Sequence, residues 1–305
     1  MTTVEQDRAS ERIPPYAPTL RDLIALEIPE QAVISPTGTY VAFTLRTTNW
    51  RDNRYEQHCM LLDTRRGEIH SLSQTGTVEQ IEWVGPTTLA LLRTGPAEDA
   101  KAQIWLYEGL IAEGWPVTDH RTSVAWFKPF AAGFVYRADD PERADNTARS
   151  DRFGVYTRVE QEISASALYY VGLEEKRAYL AAQRAQTAEE GEKLVAPVLE
   201  LSKLLPAPRS IQTVVVSSRN DALYLTCRPH DDLVYFRDTT SFCIALDAQA
   251  ALASYLEHER RKQDKQADER AQPAADEPDD LAALGELTHL KLPAGASIAA
   301  VSPDG

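Results

Sequence analysis

Long apolar runs are missing from this 305-residue chain. No stretch approaches the about eighteen apolar residues that a membrane span needs. The segment after Met1 carries Glu5, Asp7 and Glu11 where a secretory leader would be apolar. The expectation is a cytoplasmic protein with no membrane partner. Basic excess is missing too: 32 Lys and Arg face 46 Asp and Glu, a net charge of −14. Affinity for a phosphate backbone comes from clustered cations, so nucleic acid is excluded as a partner. Cysteine is scarce. Cys59, Cys227 and Cys243 are odd in number and form no CxxC pair, which excludes a disulfide framework and a zinc knuckle. Each lies among apolar neighbours in an expected strand and reads as a buried reduced thiol. The six histidines show no metal spacing and no Gly-rich phosphate loop occurs, so no metal and no cofactor are expected.

What is present is a repeated hairpin. Ala32 to Leu45 reads as a short apolar strand, a turn at Ser35-Pro36-Thr37-Gly38, and a second strand whose Val41, Phe43 and Leu45 share a face at period two. Pro36 supplies the fixed φ of the second turn position, and Gly38 can take the positive φ that closes it. Versions recur at Ile81 to Leu92, Val124 to Tyr136 and Val214 to Leu225, and Ile298 to Gly305 begins a further one. In register, Val41, Leu89, Phe134 and Leu223 lie 48, 45 and 89 residues apart, and Ser217 and Ser302 lie 85 apart. A period of about 40 to 50 residues with about four short strands per unit marks a β-propeller. The doubled intervals then need insertions. Leu173 to Glu190 and Ala248 to Asp280, rich in Ala, Glu, Gln and Arg, supply them, whereas hidden degenerate blades would need a β-branched alternation that both segments lack.

The fold expected is therefore all-β: an incomplete propeller of about four WD40-like blades and the start of a fifth, with helical insertions. Residues 1–30 form a polar tail and a short helix, Leu20 to Leu26, capped by Thr19 and striped by Leu20, Leu23, Ile24 and Leu26. The blades run over about 31–73, 77–119, 122–206 and 209–293, with insertions at about 172–195 and 248–285 and a fifth start at 296–305. In the third blade, residues 139–150 read as a mobile charged loop. Asp151 to Gly154 then resumes strand character and Pro197 to Leu205 supplies the outer strand.

Chemistry is sparse. Gly295-Ala296-Ser297-Ile298-Ala299 comes within one residue of the Gly-x-Ser-x-Gly nucleophile elbow, but the second glycine is missing and only six residues remain for the downstream acid and histidine, so Ser297 reads as the start of a propeller strand. His230-Asp231-Asp232 reads as a solvated loop, since a metal site would need further ligands. Between Glu257 and Asp280 nine acids face five bases, which reads as a solvated helix and tail. Trp83, Trp105 and Trp126 read as core or inter-blade packing. No residue is assigned a catalytic, cofactor-binding or metal-binding role.

The order of a short helix, Ala-Val-Ile-Ser-Pro-Thr-Gly-Thr-Tyr-Val-Ala-Phe, Asp151-Arg152-Phe153-Gly154 and a final Val-Ser-Pro-Asp-Gly resembles the N-terminal half of the prolyl oligopeptidase family of serine peptidases, in its acylaminoacyl-peptidase and dipeptidyl-aminopeptidase-like branch. The resemblance implies a propeller followed by an α/β-hydrolase domain with a Ser, Asp and His triad, the propeller admitting only short or unfolded peptides. It carries over none of the catalytic residues, so the chain alone is expected to be inactive and to act on peptide substrate through the hydrolase half it lacks. A chain stopping at Gly305 inside a turn reads as truncated, with inter-blade faces left uncovered, and a homo-oligomer is compatible with that. The alternative is a stand-alone propeller that serves as a protein-interaction platform through its rim insertions.

Overall fold

The computed structural model describes residues 17–73, 75–97, 99–110, 113–139, 166–185, 194–205, 210–228, 239–268, 285–292 and 296–301. The expected loop at 139–150 (beyond Asp139), the strand at Asp151–Gly154, His230–Asp232, the acidic residues 276–280, the tail up to residue 16 and the turn at Ser302–Gly305 lie outside the described residues.

Sixteen strands among the described residues form four antiparallel sheets, each a meander of four. The first holds β1 (Ile28–Ile34), β2 (Tyr40–Asn49), β3 (Arg54–Asp63) and β4 (Glu68–Ser71). The second holds β5 (Thr77–Gly85), β6 (Thr88–Thr94), β7 (Gln103–Glu108) and β8 (Trp115–Pro116). The third holds β9 (Val124–Phe130), β10 (Gly133–Asp139), β11 (Ser166–Gly172) and β12 (Val198–Glu200). The fourth holds β13 (Ser210–Val216), β14 (Ala222–Arg228), β15 (Thr240–Leu246) and β16 (Gly285–Leu290). The expected outer strand at 197–205 is shorter, because the chain winds into a single 3-10 turn at Leu201–Leu204.

The sheets stack face to face in chain order, which makes them blades of a propeller. Three apolar clusters fill the three gaps. Ala42, Cys59 and Leu61 meet Val78, Leu89 and Leu91 between the first and second sheets. Ala90, Leu92 and Ile104 meet Phe127, Phe134 and Tyr136 between the second and third. Phe130, Leu168 and Tyr170 meet Leu223, Leu225 and Ile244 between the third and fourth. Successive residues of one strand enter different clusters, since side chains alternate across a sheet. Leu91 and Leu92 therefore serve separate cores, and β6, β10 and β11 read as continuous apolar runs. In β2 the residues turned to the second sheet are the small Ala42 and Thr44; Val41, Phe43 and Leu45, on the other face, stay half-buried and belong to none of the three clusters.

The repeated turn comes in two forms. At Ser35 and again at Ser217 the serine N–H donates to the carbonyl five residues on, at 2.8 and 2.9 Å, and the serine Oγ accepts that residue's N–H, at 3.0 and 3.2 Å. The third residue after each serine, Gly38 or Asn220, is left-handed, with φ of 70° and 58°. The second and third sheets instead turn within two residues, between Gly85 and Thr88 and between Phe130 and Gly133.

Both doubled intervals hold helices, as the insertion reading requires. α2 (Leu173–Ala185) follows β11, and α3 (Ala248–Asp268) follows β15. The α3 positions Ala248, Ala251, Leu252, Tyr255 and Leu256 form a helical stripe that covers the cluster between the third and fourth sheets. From α2, Arg177 reaches back to the second sheet, where it pairs with Glu108 and lies over the Trp115 ring at 5.7 Å. Both helices sit at the sheet ends that carry the serine turns. The short α1 (Leu20–Ile24) precedes β1 and so lies at the opposite end, tied there by a hydrogen bond from the Thr48 hydroxyl to the Ile24 carbonyl. Among the described residues no helix is long and apolar enough to cross a membrane.

Candidate functional site

Residues brought together only by stacking line a cavity of about 320 Å³ where the inner strands of the third and fourth sheets meet, at the α1 end. β9 contributes Trp126 and β10 contributes Arg137, its cross-strand partner. β13 contributes Gln212 and Thr213, and Ile298 and Ala299 pass across the same place. The Arg137 Nη1 donates to the Ile211 carbonyl at 2.9 Å and the Gln212 carbonyl at 3.3 Å, so the guanidinium bolts the third sheet to the fourth. A bulge between Ile211 and Thr213 makes room for this approach. The Thr213 hydroxyl is shielded from solvent and has no hydrogen-bond partner among the described residues. Among the described residues no carboxylate lines the cavity.

A second recess, of about 340 Å³, lies between the rim helices, with Tyr179 and Ala182 of α2 facing Leu256 and Arg260 of α3. Its walls are mostly apolar.

Among the described residues two cations are buried elsewhere, and the environment of each is structural. Arg93 donates to the Thr75 carbonyl at 3.1 Å, the Thr75 hydroxyl at 2.7 Å and the Tyr107 hydroxyl at 2.9 Å, with its guanidinium 4.8 Å from the Trp105 ring centre. Lys176 of α2 is only 5% exposed, and burial lowers its pKa against the opposing pull of Asp119. The Lys176 ammonium lies 5.1 Å from the Tyr179 ring centre.

The residues singled out by sequence fall as follows. Trp83 donates its indole N–H to the Val33 carbonyl at 3.1 Å and packs with Trp105 in the first cluster. Trp126 packs against the third cluster and also stands on the cavity wall, which packing alone did not foresee. Ser297 is exposed in an irregular segment, 296–301, which forms no strand within the described residues. The segment crosses the fourth sheet through the Ile298 N–H, which donates to the Thr226 hydroxyl at 3.3 Å. Cys59 and Cys227 are buried free thiols, and burial pushes Cys59 up to about 12. Cys243 is only half-buried because its strand position turns it to the outer face of the fourth sheet, beside Tyr224. Glu257 pairs with Arg261 and Glu259 with Lys262 along α3, the solvated face expected of the charge run. Among the described residues no group of three His, Cys, Asp or Glu could hold a metal ion. Sequence reasoning missed Arg137, Gln212 and Thr213. The one signal was Arg137 itself, a lone charge inside Gly133-Phe-Val-Tyr-Arg-Ala138.

No protein-family profile matches the sequence, and no curated protein is similar to it. Among solved structures the chain is similar to the acylaminoacyl peptidase of Pyrococcus horikoshii, at 12% identity and a TM-score of 0.47, over 72% of this chain and 31% of that one. It is also similar to the β-propeller domain of the Trilobed protease from Pyrococcus furiosus, at 11% identity and a TM-score of 0.41, over 72% and 53%. A third similar structure is the tricorn protease, at 8% identity and a TM-score of 0.41, over 70% and 20%. The chain thus spans from a fifth to about half of each of these proteins.

Proposed function

We propose that the chain is the substrate-gating propeller of a serine peptidase of the prolyl oligopeptidase type, which acts on short peptides through an α/β-hydrolase half. The observation that carries this reading is α1. Its Leu20 and Leu23, with Leu26 just beyond, are 74%, 56% and 54% exposed, an apolar stripe on a helix that is nonetheless well anchored. Thr19 and Asp22 form a reciprocal capping box, Arg21 lies 5.3 Å from the Trp50 ring centre, and Thr48 holds the Ile24 carbonyl. Such a stripe fits a helix that packs on a neighbouring domain. It lies at the same end of the sheets as the cavity between the third and fourth blades, so a hydrolase docked there would face that cavity.

The test is hydrolysis of short N-acetylated peptide p-nitroanilides by this chain alone and by the chain joined to an α/β-hydrolase half. The expected result is no turnover by the chain alone. The joined protein should cut short peptides and spare folded proteins, and a Leu20→Asp, Leu23→Asp variant should lose that size limit. Turnover by the lone chain, or cleavage indifferent to substrate size in the unaltered joined protein, would refute the reading.

A further inference from the structure

The cavity at the inner edge of the third and fourth blades is built for an anion, and we propose that it binds the free C-terminal carboxylate of a short peptide. That identity of the ligand rests on the peptidase reading above; the carboxylate chemistry rests on the walls. Arg137 is held by its Nη1, which donates to two carbonyls of the β13 region. Its other donors, at Nε and Nη2, have no partner among the described residues. These two N–H groups form the side-on edge of the guanidinium, the edge that donates to both oxygens of one carboxylate. Anchoring the opposite nitrogen lowers the ordering cost of that pairing, because the fork is already oriented before the ligand arrives.

Two further observations point the same way. The Thr213 hydroxyl is buried without a partner, and a buried donor of this kind is stabilised by an incoming oxygen. Among the described residues no Asp or Glu stands on the wall beside Arg137, although the chain as a whole carries a net charge of −14. Beside these polar groups stand Trp126, Val215 and Ile298, an apolar surface suited to the side chain that precedes a terminal carboxylate. A volume of about 320 Å³ suits one or two residues at the end of a peptide. A peptide enters end-first.

Isothermal titration of the chain with N-acetyl-Ala-Phe as the free acid, N-acetyl-Ala-Phe amide and sodium acetate tests the proposal. The acid should bind at least about tenfold more tightly than the amide, as the loss of a charge-assisted pair implies, and acetate should compete only weakly. Arg137→Gln should abolish the preference for the acid. Because that change also cuts the link to β13, Thr213→Val is the second variant. It removes an unpartnered hydroxyl, so the melting temperature should hold or rise while affinity for the acid falls several-fold. Equal binding of acid and amide, no binding of either, acetate binding as tightly as the peptide, or wild-type affinity in both variants would overturn the site. Acid-selective binding in a joined protein without peptidase activity would refute the peptidase reading alone. Peptidase activity with equal binding of acid and amide would refute the site alone.

Discussion

Leu91 and Leu92 are chain neighbours, both at most 1% exposed, yet they point into different cores. Replacing either with alanine removes the same atoms from equally buried positions, so the cost to the gap it fills should be similar, about 2–5 kcal/mol each. The damage should be local and different in place. Leu91→Ala weakens the gap between the first and second sheets, and Leu92→Ala the gap between the second and third. A loss of 2 kcal/mol in one gap raises the population of the locally opened state about thirtyfold, since each 1.4 kcal/mol is a factor of ten. Hydrogen exchange read by mass spectrometry would show it. In Leu91→Ala the amides of β2 and β3 should exchange at least about thirtyfold faster while those of β9 and β10 keep their protection, and in Leu92→Ala the reverse should hold. Exchange that speeds up in the same strands for both variants would refute the stacked-blade account, because it would mean one shared core.

Other consequences are equally direct. A Cβ at Gly133 would sit 2.0 Å from the Val171 carbonyl oxygen, so Gly133→Ala should cost about 3 kcal/mol; Gly38→Ala, with open space but a φ of 70°, should cost about 1 kcal/mol, and the order of the two melting temperatures checks this. Burial raises the Cys59 thiol from 9.0 to about 12, so the folded state holds a proton that the unfolded state gives up; stability should be complete below pH 9 and fall by up to about 1.4 kcal/mol per pH unit toward pH 12. Urea midpoints at pH 8, 9.5 and 10.5 should show a shallower decline in Cys59→Ala. The Asp247 carboxylate accepts the N–H groups of Gln249 and Ala250, both at 3.1 Å, so Asp247→Ala should cost about 1 kcal/mol and show first as faster exchange in the opening turn of α3.

Turns, strands and helices were legible in the sequence because their causes are local. The Ser35 and Ser217 turns repeat because a serine oxygen can accept the N–H five residues on when Gly38 or Asn220 takes the left-handed position, and that needs only neighbouring residues. The two insertions declared themselves by composition, and the stripe from Ala248 to Leu256 names the helical face that docks. The capping box at Thr19 and Asp22 is likewise a matter of three-residue spacing.

The candidate site was not legible, and the reason is physical. Arg137 meets Ile211 across 74 residues, and nothing in either segment specifies which faces of two blades will touch. Alternation told that Val41, Phe43 and Leu45 share one side of β2, but only the stacking decided that Ala42 and Thr44 face the second sheet. The amino-acid order by itself determined the blades, since each strand pairs with its chain neighbours through short turns. Which residues line the inner edge, and which hydroxyl and guanidinium edge go without a partner among the described residues, were decided by the packing of one blade on the next, where side chains far apart in the chain compete for the same volume.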